Sequence, residues 1–355
     1  MRFIPDLLHM QDGTAVTAEN WTLRRAELID VLRREEYGYA PPAPDGVRGE
    51  VTAVDRKCAC GKGAIEDITL RFDTPKGEYA FPFQYAYPTD GKAHPTFLFI
   101  NFRKGVYDKY VDVDSLIEQG FAVADVCYKD VSSDDGDLTN GICGMFDRPD
   151  DGTGYGKITM WAYAMSRILD YLAQRPQTDM RYIASVGHSR LGKTSLWCAA
   201  QDERIGLAVS NDSGCAGAAY ERIKRPEGET VKAITKNFPY WFCENYKKYV
   251  DRAEDMPFDQ HFLLAAIAPR RVAVGSASED LWADPYGEQL SCVGASAAWH
   301  LLGKKGFVGR SEPMTVGEQS MGDISYQLRD GIHYLGRPDW RFYCECFREF
   351  IKENP

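Results

Sequence analysis

Basic charge is in short supply in this 355-residue chain, where 42 Lys and Arg face 52 Asp and Glu and leave a formal charge of −10. A surface that tracks phosphates needs the opposite balance, so no nucleic acid partner is expected. No apolar run approaches the roughly 20 residues of a membrane-crossing helix, so no membrane partner is expected either. The opening segment, MRFIPDLLHMQDG, lacks the basic start, apolar core and small-residue cleavage site of a signal peptide. The expectation is therefore a cytoplasmic chain as written, or a secreted one if a leader has been trimmed. Regular cysteine spacing is missing too. Ten cysteines are scattered, and Cys127, Cys198 and Cys215 sit in apolar or small-residue stretches, which suits reduced, buried thiols better than a disulfide framework. The pairs Cys58/Cys60 and Cys344/Cys346 have C-x-C rather than C-x-x-C spacing, so no metal is expected there. Repeats, low-complexity tracts and long linkers are also lacking. What remains, 44% hydrophobic and 12% aromatic, is the composition of a globular protein.

Residues 21–36, WTLRRAELIDVLRREE, read as an amphipathic helix closed by YGYAPPAPDG. Two antiparallel strands follow in DITLRFD and AFPFQYAYP, with Pro-Lys-Gly turning between them. From residue 94 the rhythm changes. HPTFLFINF, FAVADVCY, RYIASVG, IGLAVSN and RRVAVGSAS are short, nearly continuous apolar runs, the pattern of strands buried on both faces. Between them lie helical segments, including 157–174, where Ile158, Trp161, Met165, Ile168 and Leu172 share one face. The alternation predicts one α/β domain over residues 1–355, a three-layer α/β/α sandwich around a mostly parallel sheet. Residues 1–93 supply its amino-terminal helix and antiparallel strands. A Trp- and Tyr-rich stretch over about 216–260 interrupts the alternation and reads as an insertion that walls the substrate site. The run SSDDGD at 132–137 fits no calcium loop and reads as a solvated turn.

The sharpest motif is Gly187-His188-Ser189-Arg190-Leu191-Gly192-Lys193, which places a serine between a buried strand and a helix. A sharp turn there lifts the hydroxyl above the sheet and leaves helix-start N–H groups free to hold an oxyanion, as in α/β-hydrolases. Leu191 stands where the second Gly of G-x-S-x-G would be, and a plain helix N-cap is the alternative role for Ser189. A serine hydroxyl needs a base, and the base needs a carboxylate. Only six histidines exist. His9 and His94 precede the serine, His188 adjoins it with its ring expected to point away, and His261 and His300 lie in apolar helical contexts that suit packing. His333, in the Gly-flanked loop RDGIHYLG, remains. For the acid there are two candidates, Asp280 directly after the strand RRVAVGSAS and Asp212 in SNDSG, with Glu279 a weaker choice; either Asp is also a residue type that caps loops.

With those residues placed, the chain resembles the glucuronoyl esterases, carbohydrate esterase family 15, of the bacterial type, from about Trp21 to Trp340. The similarity is strongest in GHSRLGKTSLW, SNDSGCAGAA, FPYWFCEN, DQHFLLAAIAPR, SASEDLWADP and GIHYLGRPDW. The resemblance implies an α/β-hydrolase fold and cleavage of esters between alcohols and (4-O-methyl-)glucuronate, as in lignin–glucuronoxylan linkages. It implies Ser189 as nucleophile, His333 as base, Arg190 as an oxyanion donor, and Lys193, Glu229 and Trp282 around the sugar. Fungal members place the acid at the position of Asp212 and many bacterial members at that of Asp280. Asp280 is preferred here, with Asp212 as support or alternate. Fungal members also carry a disulfide-bonded Cys where this chain has His188. The expected partner is a glucuronate ester or a glucuronoxylan-derived oligosaccharide, with no cofactor, no metal and a monomeric chain. An acetylxylan-type acetyl esterase with the same triad is the alternative, and a non-catalytic carbohydrate-binding homologue a more distant one.

Overall fold

A computed structural model describes residues 4–354. Ten strands form one sheet: β1 (Arg48–Asp55), β2 (Gly63–Thr74), β3 (Gly77–Pro88), β4 (His94–Asn101), β5 (Ala122–Cys127), β6 (Thr178–His188), β7 (Leu207–Asn211), β8 (Arg271–Ala277), β9 (Gln319–Ser320) and β10 (Ile324–Arg329). Their order across the sheet is β1-β2-β3-β5-β4-β6-β7-β8-β10-β9. The run β5-β4-β6-β7-β8-β10 is parallel, while β1, β2 and β3 are antiparallel and β9 closes the far edge antiparallel to β10.

The central parallel strands β4, β5, β7 and β8 are largely apolar because both faces are covered. Leu98 and Ile100 of β4 enter one apolar cluster, while Phe97 and Phe99, pointing the other way, enter a second. Helices α3 (Lys157–Leu172), α4 (Arg190–Gln201) and α5 (Pro285–Leu301) contribute to the first cluster, together with the amino-terminal α1 (Trp21–Leu32). The short α2 (Val113–Glu118) and the carboxy-terminal α6 (Arg337–Glu353) contribute to the second. Each fully buried Leu, Ile, Val or Phe contributes about 1.5–3 kcal/mol, so the two clusters carry most of the favourable energy of the sandwich. This is the α/β/α architecture expected from the alternation.

Three strands escaped the sequence reading. Strand β1 is almost wholly exposed and shows no alternation. The pair β9 and β10 lies in GEQSMGDISYQLRD, where β9 spans two residues and polar side chains break up the apolar signal of β10. The helix expected over 21–36 has its α-helical turns over Trp21–Leu32 and continues as a π-helix through Arg33–Tyr37. Between β7 and β8 the aromatic stretch forms short helical pieces at Val231–Asn237, Pro239–Trp241 and Glu244–Tyr249. All ten cysteines are free thiols, and only Cys60 is exposed.

Parallel register sets the site. His188 pairs with Asn211, and Asn211 with Gly275, so β6, β7 and β8 end side by side. The ladder continues one step further: the Ser189 N–H donates to the Asn211 carbonyl and the Asp212 N–H to the Gly275 carbonyl, both at 2.8 Å. Ser189, Asp212 and the loop carrying Asp280 therefore leave the sheet at one edge.

At the β6–α4 turn the backbone doubles back so tightly that a Cβ on Gly187 would lie 1.9 Å from the Leu191 carbonyl oxygen. No rotamer relieves a clash with backbone. Gly187→Ala is expected to destabilise the protein by at least the ~1–3 kcal/mol of an overpacked core, read by urea unfolding; a wild-type midpoint would show that the turn can open without cost.

Candidate active site

Ser189 sits between β6 and α4 at φ 59° and ψ −128°, a conformation unfavourable for a residue with a Cβ. The ladder bond to Asn211 and the clash-free Gly187 hold it there. Immediately after it α4 opens, where the first N–H groups have no carbonyl a turn earlier to bond. The next two, of Gly192 and Lys193, are already taken by the Ser189 carbonyl at 2.9 and 3.3 Å. The second glycine of the motif, Gly192, is tightly packed as well, since a Cβ would lie 3.0 Å from Ser213 Cβ. The offset from G-x-S-x-G thus keeps a glycine where the helix presses on the neighbouring loop.

His333 lies in the loop after β10, and its Nδ1 is 2.5 Å from Asp280 Oδ2. That bond leaves Nε2 as the nitrogen available for proton transfer. Asp280 is buried at the head of a 3₁₀ turn, Leu281–Ala283, whose Ala283 N–H its Oδ1 accepts at 3.4 Å. Asp212 does not contact the imidazole in this way. Its Oδ2 accepts the Tyr334 N–H at 3.2 Å and pairs with Arg329 at 3.3 Å. Burial, reinforced by the nearby Glu288, raises its proton affinity well above the usual carboxylate range despite Arg329.

His188 corrects the expectation that its ring points away. It is 4% exposed, its ring lies 4.4 Å from that of His333, and its Nδ1 donates to Asn211 Oδ1 at 2.8 Å. Burial, with the neighbouring His333, pushes its imidazole down to about 3, so it is neutral. His300 is a second correction: it is exposed, with Nε2 3.0 Å from the Lys305 carbonyl, rather than packed in the core. His261 is buried, with Nε2 3.0 Å from the Pro5 carbonyl.

Arg190 is held from three sides. Its guanidinium pairs with Asp134 and lies 4.6 Å from the Trp241 ring and 5.1 Å from Phe238, two rings that stack on each other. Asp134 is not part of a merely solvated turn: its carboxylate is buried and also accepts from Trp241 Nε1 at 2.8 Å and Tyr128 at 3.0 Å. A partly buried cation gains from such a partner, and a planar guanidinium suits aromatic faces. Sequence reasoning missed Asp134, Phe238 and Trp241; the available signal was the acidic run in a chain whose nucleophile is followed by Arg.

Lys193, one turn into α4, is buried, and its Nζ donates to the Ser213 carbonyl. Glu229 is buried as well. Burial raises its carboxyl above the ordinary range, opposed by Lys193 and Lys224. Its N–H donates to the Trp282 carbonyl at 2.8 Å, which ties Glu229 to the half-exposed indole two residues beyond Asp280. Ligand atoms of His188, Asp212 and His333 lie within 4.8 Å of one another. His188 Nδ1 and His333 Nδ1 are already engaged by Asn211 and Asp280, so this crowding belongs to the site itself.

With this geometry in place, comparison decides the family. The family model described as glucuronyl esterase, fungi, matches residues 76–303. The chain belongs to that family. The prokaryotic carbohydrate esterase MZ0003, from an unknown organism, is 34% identical over 96% of this chain and 88% of its own. The 4-O-methyl-glucuronoyl methylesterase 1 of Wolfiporia cocos is 28% identical over 84% of this chain and 71% of its own. Among solved structures, the glucuronoyl esterase from Solibacter usitatus superposes with a TM-score of 0.90 at 32% identity, covering 99% of this chain and 98% of that one. The family assignment read from the motifs stands, and the chain is an esterase of this family.

The buried neutral His188 has a consequence for acid stability. On unfolding, its imidazole returns to an ordinary affinity near 6.5, so below that pH the unfolded chain binds a proton that the folded chain refuses. Its contribution is complete above about 6.5 and is lost as pH falls toward about 3, at up to ~1.4 kcal/mol per pH unit. His188→Phe should therefore lose about 2 kcal/mol less than wild type between pH 7 and 5 in urea unfolding. Equal losses in both proteins would show that His188 does not titrate on unfolding.

Proposed function

We propose that this esterase hydrolyses esters of glucuronic or 4-O-methyl-glucuronic acid with alcohols, on small esters and glucuronoxylan-derived oligosaccharides, through a uronoyl-serine intermediate. The observation that carries the reading is the 2.5 Å bond between His333 Nδ1 and Asp280, on the same sheet edge as the strained Ser189. In the first step His333 Nε2 takes the Ser189 proton as Oγ attacks the ester carbonyl. The tetrahedral oxyanion is held by the Arg190 guanidinium and the first two N–H groups of α4, those of Arg190 and Leu191, and Asp280 stabilises the imidazolium. His333 then delivers the proton to the departing alcohol oxygen. In the second step water, deprotonated by His333, attacks the uronoyl ester, Ser189 recovers the proton, and glucuronate leaves.

Lys193, Glu229 and Trp282 are the residues we assign to the sugar. A cation and a carboxylate side by side match the paired donor and acceptor of ring hydroxyls, and a half-exposed indole offers a face to the ring's C–H surface. The names of the Wolfiporia cocos and Solibacter usitatus relatives support glucuronate as the acid portion. An acetyl esterase would have no use for this group.

Two measurements test the proposal. Wild type should hydrolyse benzyl glucuronate faster than an acetyl ester, and Ser189→Ala should abolish that turnover; hydrolysis of the acetyl ester alone would move the function to deacetylation. Separately, Asp280→Asn should lower kcat by about 10³–10⁴-fold, the cost of a mis-set tautomer, with a far smaller loss in Asp212→Asn. The reverse ranking would give the acid role to Asp212.

A further inference from the structure

One side chain outside the triad grips the His333 loop on both sides of the histidine. Arg329, the last residue of β10, donates through Nη2 to the carbonyl of Ile332 at 3.1 Å and to that of Tyr334, the residues immediately before and after His333. Its Nη1 donates to the Asp330 carbonyl at 3.0 Å. The guanidinium is itself anchored: Nε bonds Asp339 Oδ1 at 2.7 Å, and Nη2 pairs with Asp212 Oδ2 at 3.3 Å. Asp212 Oδ2 closes the circuit by accepting the Tyr334 N–H at 3.2 Å. Asp339 is in turn held by Gln327 at 3.1 Å and accepts the Gly336 N–H at 2.8 Å, so the clamp runs from β10 through the loop to the start of α6.

We propose that Arg329 is the positioning residue of the catalytic base: it sets the backbone that carries His333 and, by engaging Asp212, leaves the imidazole to Asp280. The proposal rests on the assignment of Ser189, His333 and Asp280 made above. The loop is also tied at its ends, by the Glu279 N–H to the Gly331 carbonyl at 2.9 Å and the Tyr334 hydroxyl to the Lys109 carbonyl at 2.8 Å, but the two carbonyls that flank His333 are held by Arg329. Ile332 is 63% exposed and His333 has a 43% exposed side chain, so apolar packing does not fix their backbone. Hydrogen bonds to both flanking carbonyls do, and a planar guanidinium with several donors can make them while facing two carboxylates. A lysine at 329 has one ammonium and cannot span the same groups. Arg329 touches no reacting atom, so its effect reaches the chemistry through where His333 sits and through its hold on Asp212.

The test compares wild type with Arg329→Gln, Arg329→Lys and Ser189→Ala, each checked for folding by circular dichroism. For benzyl glucuronate, folded Arg329→Gln should show kcat reduced by about 100-fold, the effect of a misplacement near 1 Å. Its KM, and its inhibition by free glucuronate, should stay near wild type. Labelling of Ser189 by an organofluorophosphonate, which needs the base but not the sugar, should slow in parallel, and Arg329→Lys should fall between. A folded Arg329→Gln with kcat and labelling within about threefold of wild type overturns the proposal, as does a fall confined to KM. If Arg329→Gln does not fold, Arg329→Lys decides: wild-type kcat and labelling overturn the proposal, and a loss of both at unchanged KM supports it. Ser189→Ala that still turns over or still labels would instead sink the triad assignment.

Discussion

Everything at the catalytic edge depends on the parallel hydrogen-bond ladder of β6, β7 and β8. Because His188, Asn211 and Gly275 lie in one row, the chain leaves three adjacent strands at one level. The bonds from the Ser189 and Asp212 N–H groups then carry the ladder one residue beyond the strands. A parallel sheet forms only if both faces are covered, so the apolar runs that build the two clusters also supply the platform for the chemistry. The strained φ of Ser189 is the local cost of this arrangement. It is sustained by backbone that cannot move, with the Gly187–Leu191 approach on one side and the Asn211 carbonyl on the other.

Around this platform the charges are arranged so that few stand alone. Arg190 faces Asp134 and two stacked rings; Arg329 faces Asp212 and Asp339; Lys224 lies 3.5 Å from Glu221. Removing one member of such a pair is costlier than the pair is worth, because the survivor stays buried without compensation. The same burial shifts the neutral forms. His188 is held neutral and Asp212 is driven toward protonation, leaving the rim of the site to His333 and Asp280.

Much of this was written in local pattern. Continuous apolar strands separated by helices announce a covered parallel sheet, and a serine framed by Gly187 and Gly192 marks a sharp strand-to-helix turn. Elimination among six histidines singles out His333, and the structure sets that residue against Asp280. What pattern could not carry was contact between distant segments. Strand β1 has no periodicity because it is exposed along nearly its whole length. Asp134 sits 56 residues before Arg190, so its role as counter-ion has no spacing to reveal it. His188 misled for another reason: neighbours in sequence along a strand point to opposite faces, but Ser189 has already left the strand, so the alternation rule no longer applies to it.

The coexistence of two carboxylates beside one imidazole follows from the same physics. An acid that stabilises an imidazolium has to be an anion while the proton is on the histidine. Asp212, 1% exposed and near Glu288, is pushed toward holding a proton even with Arg329 beside it, and its Oδ2 is engaged by Arg329 and the Tyr334 N–H. Asp280, 8% exposed at the head of a short turn, is nearer to solvent and directed at Nδ1. Like charges this close favour a division of labour, one carboxylate on the imidazole and the other on a cation. In the proposed mechanism the second carboxylate is therefore part of what holds the base, and its position at the end of β7 gives the His333 loop an anchor on the central sheet.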